Sequence, residues 1–130
     1  MPSTYVPGTC NIGPAEIRRR FRIGWGCLLA TVVAWLALAR LPHGPAWYVL
    51  LFVPATVSAL GFVQAMSHFC VAFGMGGLFN VSDASLARET VDQAAFRAKD
   101  KAKAVRIIVG SVLIGAAVSV LGGLLAGAVR

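Results

Sequence analysis

The chain has 130 residues, 58% of them hydrophobic and 13% charged, with a formal net charge of +7. A mean hydropathy of +0.76 excludes an ordinary water-soluble domain, which carries nearer a quarter charged residues. The basic balance does not point to nucleic acid either. The cations flank apolar runs instead of gathering, with aromatics between them, on one face of a folded domain.

In chain order, residues 1–22 form a polar leader rich in turn formers (Pro2, Pro7, Gly8, Gly13, Pro14), turning helical at Glu16 and ending in an Arg-rich run. The apolar run 23–41 predicts a transmembrane helix with Arg40 snorkelling outward at its end. "LPHGPA" (41–46) is a tight turn by its two prolines and glycine. A second span, 47–69, opens on the interfacial pair Trp47–Tyr48, and Pro54 predicts a kink near the Leu50 carbonyl. No Asp, Glu, Lys or Arg occurs from Leu41 to Ser82, a run too long for one span and too short for two with a turn. Gly74, Gly76 and Gly77 predict that the helix breaks there and that the remainder lies at the interface.

Residues 83–106 predict a basic, alanine-rich helix capped by Ser82 or Asp83, with Leu86, Val91 and Phe96 as sparse apolar contacts. A third span follows over 107–129. The fold class is all-α: an integral membrane protein with three transmembrane helices and a cytoplasmic basic helix in the 70–106 loop. The leader, 1–22, precedes a single membrane domain, 23–130. "ALA" (37–39) before Arg40 resembles a signal-cleavage site, and "RRRF" a twin-arginine signal. The long leader and two further spans favour an anchor.

Three spans put the leader and the 70–106 loop on one side. That side holds ten of the twelve basic residues: Arg18, Arg19, Arg20, Arg22, Arg88, Arg97, Lys99, Lys101, Lys103 and Arg106. The positive-inside rule then predicts a cell inner membrane with the N-terminus cytoplasmic and the C-terminus outside. Arg18, Arg19, Arg20, Arg22, Lys101, Lys103 and Arg106 are expected to meet anionic lipid headgroups.

Chemistry-bearing residues are few. Topology brings Cys10, His68 and Cys70 to one face, where thiolate and imidazole together could hold a metal or pass sulfur. A structural zinc site needs a fourth ligand, and free cysteines commonly act as small hydrophobes. Cys27, one turn inside the first span, is a packing residue. Gln64 is the large polar group deep in the second span and bonds either across helices or to its own backbone. The lack of an intramembrane acid argues against a proton-coupled transporter. "GMGG" lacks the lysine of a phosphate loop, and two histidines on opposite faces build no hydrolytic triad. No cofactor is implied. Ser111, Gly115, Ser119, Gly123 and Gly127 recur every four residues, the small-xxx-small pattern of closely packed membrane helices.

The segment around the arginines has a further reading. Asn11, Gly13, Glu16, Arg20 and Gly24 match, in order and spacing, the opening of the YgaP-like transmembrane family, which this region resembles. That family closes its second span on a cysteine followed by proline and then a glycine; here Cys70 is followed by Val71, with Gly74 beyond. The resemblance covers about residues 11–74. It implies an inner-membrane helical hairpin entered from the cytoplasm, sometimes fused to a rhodanese sulfurtransferase domain whose catalytic role does not carry over. Taken together, the sequence predicts a non-enzymatic packing or accessory subunit, partnered by the bilayer and by itself or a larger membrane complex. The alternative is a cytoplasmic-face thiol, sulfur-relay or metal-binding module.

Overall fold

A computed structural model of the chain describes residues 4–82 and 88–129. Helix α1 spans Pro14–Arg40, with its proline in the first turn, where no backbone N–H is needed. A 3-10 segment, Pro45–Leu51, leads into α2, Phe52–Met66. The short helix α3, Val71–Gly76, ends on Gly77 at φ +68°, a left-handed cap that glycine adopts without steric cost. Two-residue strands β1 (Leu78–Phe79) and β2 (Glu89–Thr90) pair antiparallel. Helix α4 runs from Ala94 to Val129.

The described residues are all-α apart from this small ladder, and among them three helical stretches are long and apolar enough to cross a membrane. The segmentation differs from expectation in three places. Pro54 sits in the first turn of α2, so the break it imposes is a change from 3-10 to α winding at Leu51–Phe52 and not a mid-helix kink. The second span ends at Met66, three residues before the expected limit. The basic helix expected over 83–106 is not separate. Its residues from Ala94 onward are the first turns of α4, which continues unbroken for 36 residues because no glycine or proline intervenes before Gly110. Asp83 and Leu86 lie outside the described residues. The hydroxyl and N–H of Ser82 donate to Asn80 Oδ1.

Helices α1 and α4 both pack on α2, and α1 reaches α4 through Trp35 and Leu38. Span one meets span two by backbone approach: a Cβ on Gly61 would stand 2.7 Å from the Gly24 nitrogen and 2.9 Å from the Arg20 carbonyl. Ser58 Oγ donates to the Gly24 carbonyl at 2.8 Å beside that contact. On the other flank, a Cβ at Gly115 would run into Thr56 Oγ1. The buried stripe of α4 is Asp100, Ala104, Ile107, Ser111, Gly115, Gly122 and Ala126, which follows the 3.6-residue helical period. A strict four-residue stripe drifts off this face. Ser111 and Gly115 lie on it, Ser119 and Gly123 are half-buried at its edge, and Gly127 meets open space. Gly122 takes the close contact instead, against Leu51 and Trp35, whose Nε1 donates to the Gly122 carbonyl at 3.0 Å.

Candidate functional site

The leader and the chain after α2 meet at the basic end of the bundle. Gly8, at φ +69°, turns the leader back on itself, so that Val6 and Cys10 exchange backbone hydrogen bonds of 2.8 and 2.9 Å. The turn is fastened to α4 by Asp100, a fully buried carboxylate. Its oxygens accept from the Tyr5 hydroxyl at 2.8 Å and the Gly8 N–H at 2.7 Å. Burial, then the hydrogen bond to Asp100 and its negative charge, hold the Tyr5 hydroxyl well above the usual tyrosine range. The Tyr5 ring stacks on Phe79 with centroids 4.5 Å apart, and Lys103 Nζ donates to the Thr9 carbonyl at 2.8 Å.

Asn11 makes the central clasp. Its side chain donates to the Cys70 carbonyl at 3.1 Å and accepts from the Cys70 N–H at 2.6 Å, both ends buried. Its own N–H donates to the carbonyl of His68, which sits at φ +53° in the turn after α2. Its carbonyl accepts from Asn80, and Gly13 donates to the Asn80 carbonyl, which stitches the leader beside the segment after β1. A side chain at Gly13 would collide with the Val81 and Ser82 carbonyls. Gln64 completes the corner: its Oε1 accepts from the Val71 N–H at 2.9 Å, and its Nε2 donates to the Leu60 carbonyl of its own helix. Gln64 thus bonds both the backbone of its own helix and the first residue of α3.

Beneath the clasp lies a cluster of three chemistry-bearing side chains. Cys70 is fully buried, packed with Ile12 and Phe73. Arg20, one turn into α1 beyond Glu16, aims Nη2 at Cys70 Sγ, 2.9 Å away. The same Nη2 stands 3.6 Å from Glu16 Oε2, and Arg19 Nη1 stands 3.7 Å from Oε1. Glu16 is 1% exposed, yet among the described residues neither of its oxygens accepts a hydrogen bond, and Arg20 Nε donates none. Glu16 is held instead by charge, through its ion pairs with Arg19 and Arg20, so that a buried carboxylate and a guanidinium stand beside one thiol.

The sequence-predicted residues divide accordingly. Cys10 and Cys70 are unbridged; Cys10 is half-buried with its thiol directed at the Ile12 carbonyl, 3.6 Å away. The leader folds back onto Cys70 through Asn11, not through Cys10. His68 is exposed, and among the described residues no three His, Cys, Asp or Glu side chains gather into a metal-binding group. Of the seven cations expected at headgroups, Arg18, Arg19, Arg22, Lys101 and Arg106 are exposed. Arg20 and Lys103 turn inward instead, the first to Cys70 and the second to Thr9 and the face of Phe69, 5.2 Å from its centroid. Asp100 was not anticipated. Its signal is present in the sequence: one acid inside a basic run, four and seven residues before the apolar Ala104 and Ile107.

No protein-family model matches this chain, and no curated protein or solved structure shows significant similarity to it.

Proposed function

We propose that this is a small three-span inner-membrane protein, its N-terminus and basic end in the cytoplasm, that carries a thiol site centred on Cys70. The observation that carries the thiol reading is the guanidinium of Arg20 placed 2.9 Å from Cys70 Sγ inside a buried cluster with Glu16. A cysteine used only as a small hydrophobe has no need of a directed cation, whereas a sulfur that bears negative charge during reaction is held by one. The orientation is supported by the basic end itself, since Arg18, Arg22, Lys101 and Arg106 lie exposed where anionic headgroups of the inner leaflet attract cations. Kinship with YgaP-like hairpins belongs to the same reading. The motif positions Asn11, Glu16, Arg20 and Gly24 have work to do here, clasping Cys70, holding its sulfur and admitting Gly61.

The test is alkylation of native membranes with iodoacetamide, read by mass spectrometry. Cys70 is expected to react as the leader opens, and faster in Asn11→Ala. Modification of Cys70 only after denaturation would end the thiol reading.

The accessory reading, in which the spans pack against another membrane protein or a second copy, is favoured by a separate feature. Between α1 and α4 the face of α2 is open, forming an apolar groove of about 390 Å³ lined by Leu28, Ala55, Ala59, Phe62 and Val118. Helices associate in lipid by van der Waals packing into grooves of this kind, here with Ala55 and Ala59 at the base. Val118→Trp, which fills the groove, is expected to abolish association in nanodiscs, measured by native mass spectrometry.

A further inference from the structure

We infer that the cleft between α1 and α4 binds one anionic phospholipid from the leaflet at the basic end, with an acyl chain in the cleft and the phosphate on Arg18, Arg22 and Arg106. This goes beyond the thiol and accessory readings and depends on neither.

The cleft is closed at one end and open at the other. At the closed end Trp35 Nε1 donates to the Gly122 carbonyl, and Leu38 packs with Ala126. Toward the basic end α2 lies open between the other two helices. Two contiguous cavities of about 330 and 390 Å³, sharing Leu28, Thr31 and Val118, lead up to Met66, exposed at the end of α2. Along α4 the lining runs from Ile114 to Leu125, about 16 Å at 1.5 Å per residue, which is half of a ~30 Å hydrocarbon core. That is the reach of an acyl chain within one leaflet. A helix ~10 Å across would need on the order of 1,200 Å³ over that length, so a neighbouring helix lies over the cleft and not within it.

The walls and the rim select different parts of the ligand. Thr31, Trp35 and Ser58 are the polar side chains of the lining, and each donates to a backbone carbonyl, those of Cys27, Gly122 and Gly24. The lining is therefore left to hydrocarbon. The rim is cationic. Arg18 and Arg22 precede Trp25 by seven and three residues, and Trp25 packs edge-on against Phe62 of the lining, ring centroids 5.2 Å apart. On the opposite wall Arg106 precedes Ile114 by eight residues. Such spacings keep residues on one helix face, and all three arginines are exposed. The acids of α1 and α4, Glu16 and Asp100, are both buried, so the exposed charge of the rim is positive. Basic pockets between membrane helices attract anionic headgroups, whereas a zwitterionic headgroup brings no net charge to the same place.

The experiment embeds the full chain in nanodiscs of equal phosphatidylglycerol and phosphatidylcholine and counts, by native mass spectrometry, the lipids that stay bound on release. One phosphatidylglycerol per chain is expected, in clear excess over phosphatidylcholine. Arg18→Gln combined with Arg106→Gln removes two rim charges, each worth about a fivefold change in affinity. It is expected to weaken phosphatidylglycerol retention roughly 25-fold and to leave phosphatidylcholine unchanged. Ile114→Trp adds bulk at the mouth from a position 46% exposed, where no core has to repack, and is expected to release the lipid while the rim keeps its charge. Equal retention of the two lipids would reduce the cleft to a surface wetted by bulk lipid and overturn the site. Selective retention that survives Ile114→Trp would assign the preference to surface charge alone and overturn the cleft. A second copy of the chain bound without lipid would overturn it in favour of the accessory reading.

Discussion

The two ends of this short bundle are held together by different physics. At the basic end, contacts are directional and long-range in sequence: Asn11 to Cys70, Tyr5 and Gly8 to Asp100, Arg20 to Cys70. Along the spans, contact is made by removing side chains, so that Gly24 faces Gly61 and Gly115 faces Thr56. The difference follows from the solvent. In hydrocarbon there is no hydrophobic drive between helices, and close backbone approach is what remains. At the interface water competes for every polar group, so a buried one must find a specific partner inside the protein. Specificity accordingly sits at the basic end, and the spans serve as the frame that brings residues 11, 20 and 70 together.

The sharpest break in that contrast is Asn11→Leu. The replacement keeps the bulk but leaves the N–H and carbonyl of Cys70 buried without partners. Each such group costs about 1–3 kcal/mol, so a loss of about 2–4 kcal/mol is expected in detergent unfolding. Cys70 should also alkylate faster, because the leader is released with the clasp. A stability change under ~0.5 kcal/mol would mean that water replaces Asn11 freely and that the end is not closed.

A smaller effect is expected in the frame. Gly61→Val places methyl groups against the backbone of Gly24 and Arg20, which cannot move as a flexible side-chain tip can. Overpacking of this kind costs about 1–3 kcal/mol, read as weakened resistance to SDS-induced unfolding. Gly127→Val, where nothing lies within 4 Å, should change stability by less than ~0.5 kcal/mol. Equal effects at the two positions would show that glycine content, not backbone approach, governs the spans.

What the sequence disclosed follows the same division. The three apolar helices were legible because charge is excluded from lipid, and the runs 23–41, 47–69 and 107–129 lie largely within the helices found. The boundary drawn at Ile107 was not a helix boundary: charge marks where α4 leaves the hydrocarbon, not where its hydrogen bonds stop. The small-residue stripe was half legible. A four-residue spacing catches Ser111 and Gly115, then loses Gly122 because the true period is 3.6. The clasp was the least legible part. Asn11 was visible as a position of the entry motif, but its partner lies 59 positions away. Arg20 looked like its neighbours Arg18, Arg19 and Arg22, and only the helical phase of α1 turns it toward Cys70 while leaving Arg18, Arg19 and Arg22 exposed.

The subtlest expectation concerns the outer knot of the leader, where Tyr5 ties to Asp100. The Tyr5 hydroxyl is raised above its ordinary pKa of 10.0, first by burial and then by the hydrogen bond and charge of Asp100. A pKa raised by folding means that the folded leader binds its proton more tightly than the open one. The tie is therefore complete below the ordinary value of 10.0 and is lost as pH climbs through the raised one. Tyr48 must be silenced to see this. Tyr48→Phe should be nearly neutral, since the Tyr48 hydroxyl is buried without a hydrogen-bond partner among the described residues. In that background the tyrosinate absorbance of Tyr5 is expected to rise only above the ordinary tyrosine range. Adding Asp100→Asn should move the inflection back toward that range, because two of its three causes are weakened. The global unfolding midpoint should hardly follow, as only the tip of the leader depends on this bond while Asn11 keeps its base closed. An ordinary Tyr5 titration in the intact protein would show that the tip is not docked, and would confine the ordered basic end to the Asn11 clasp.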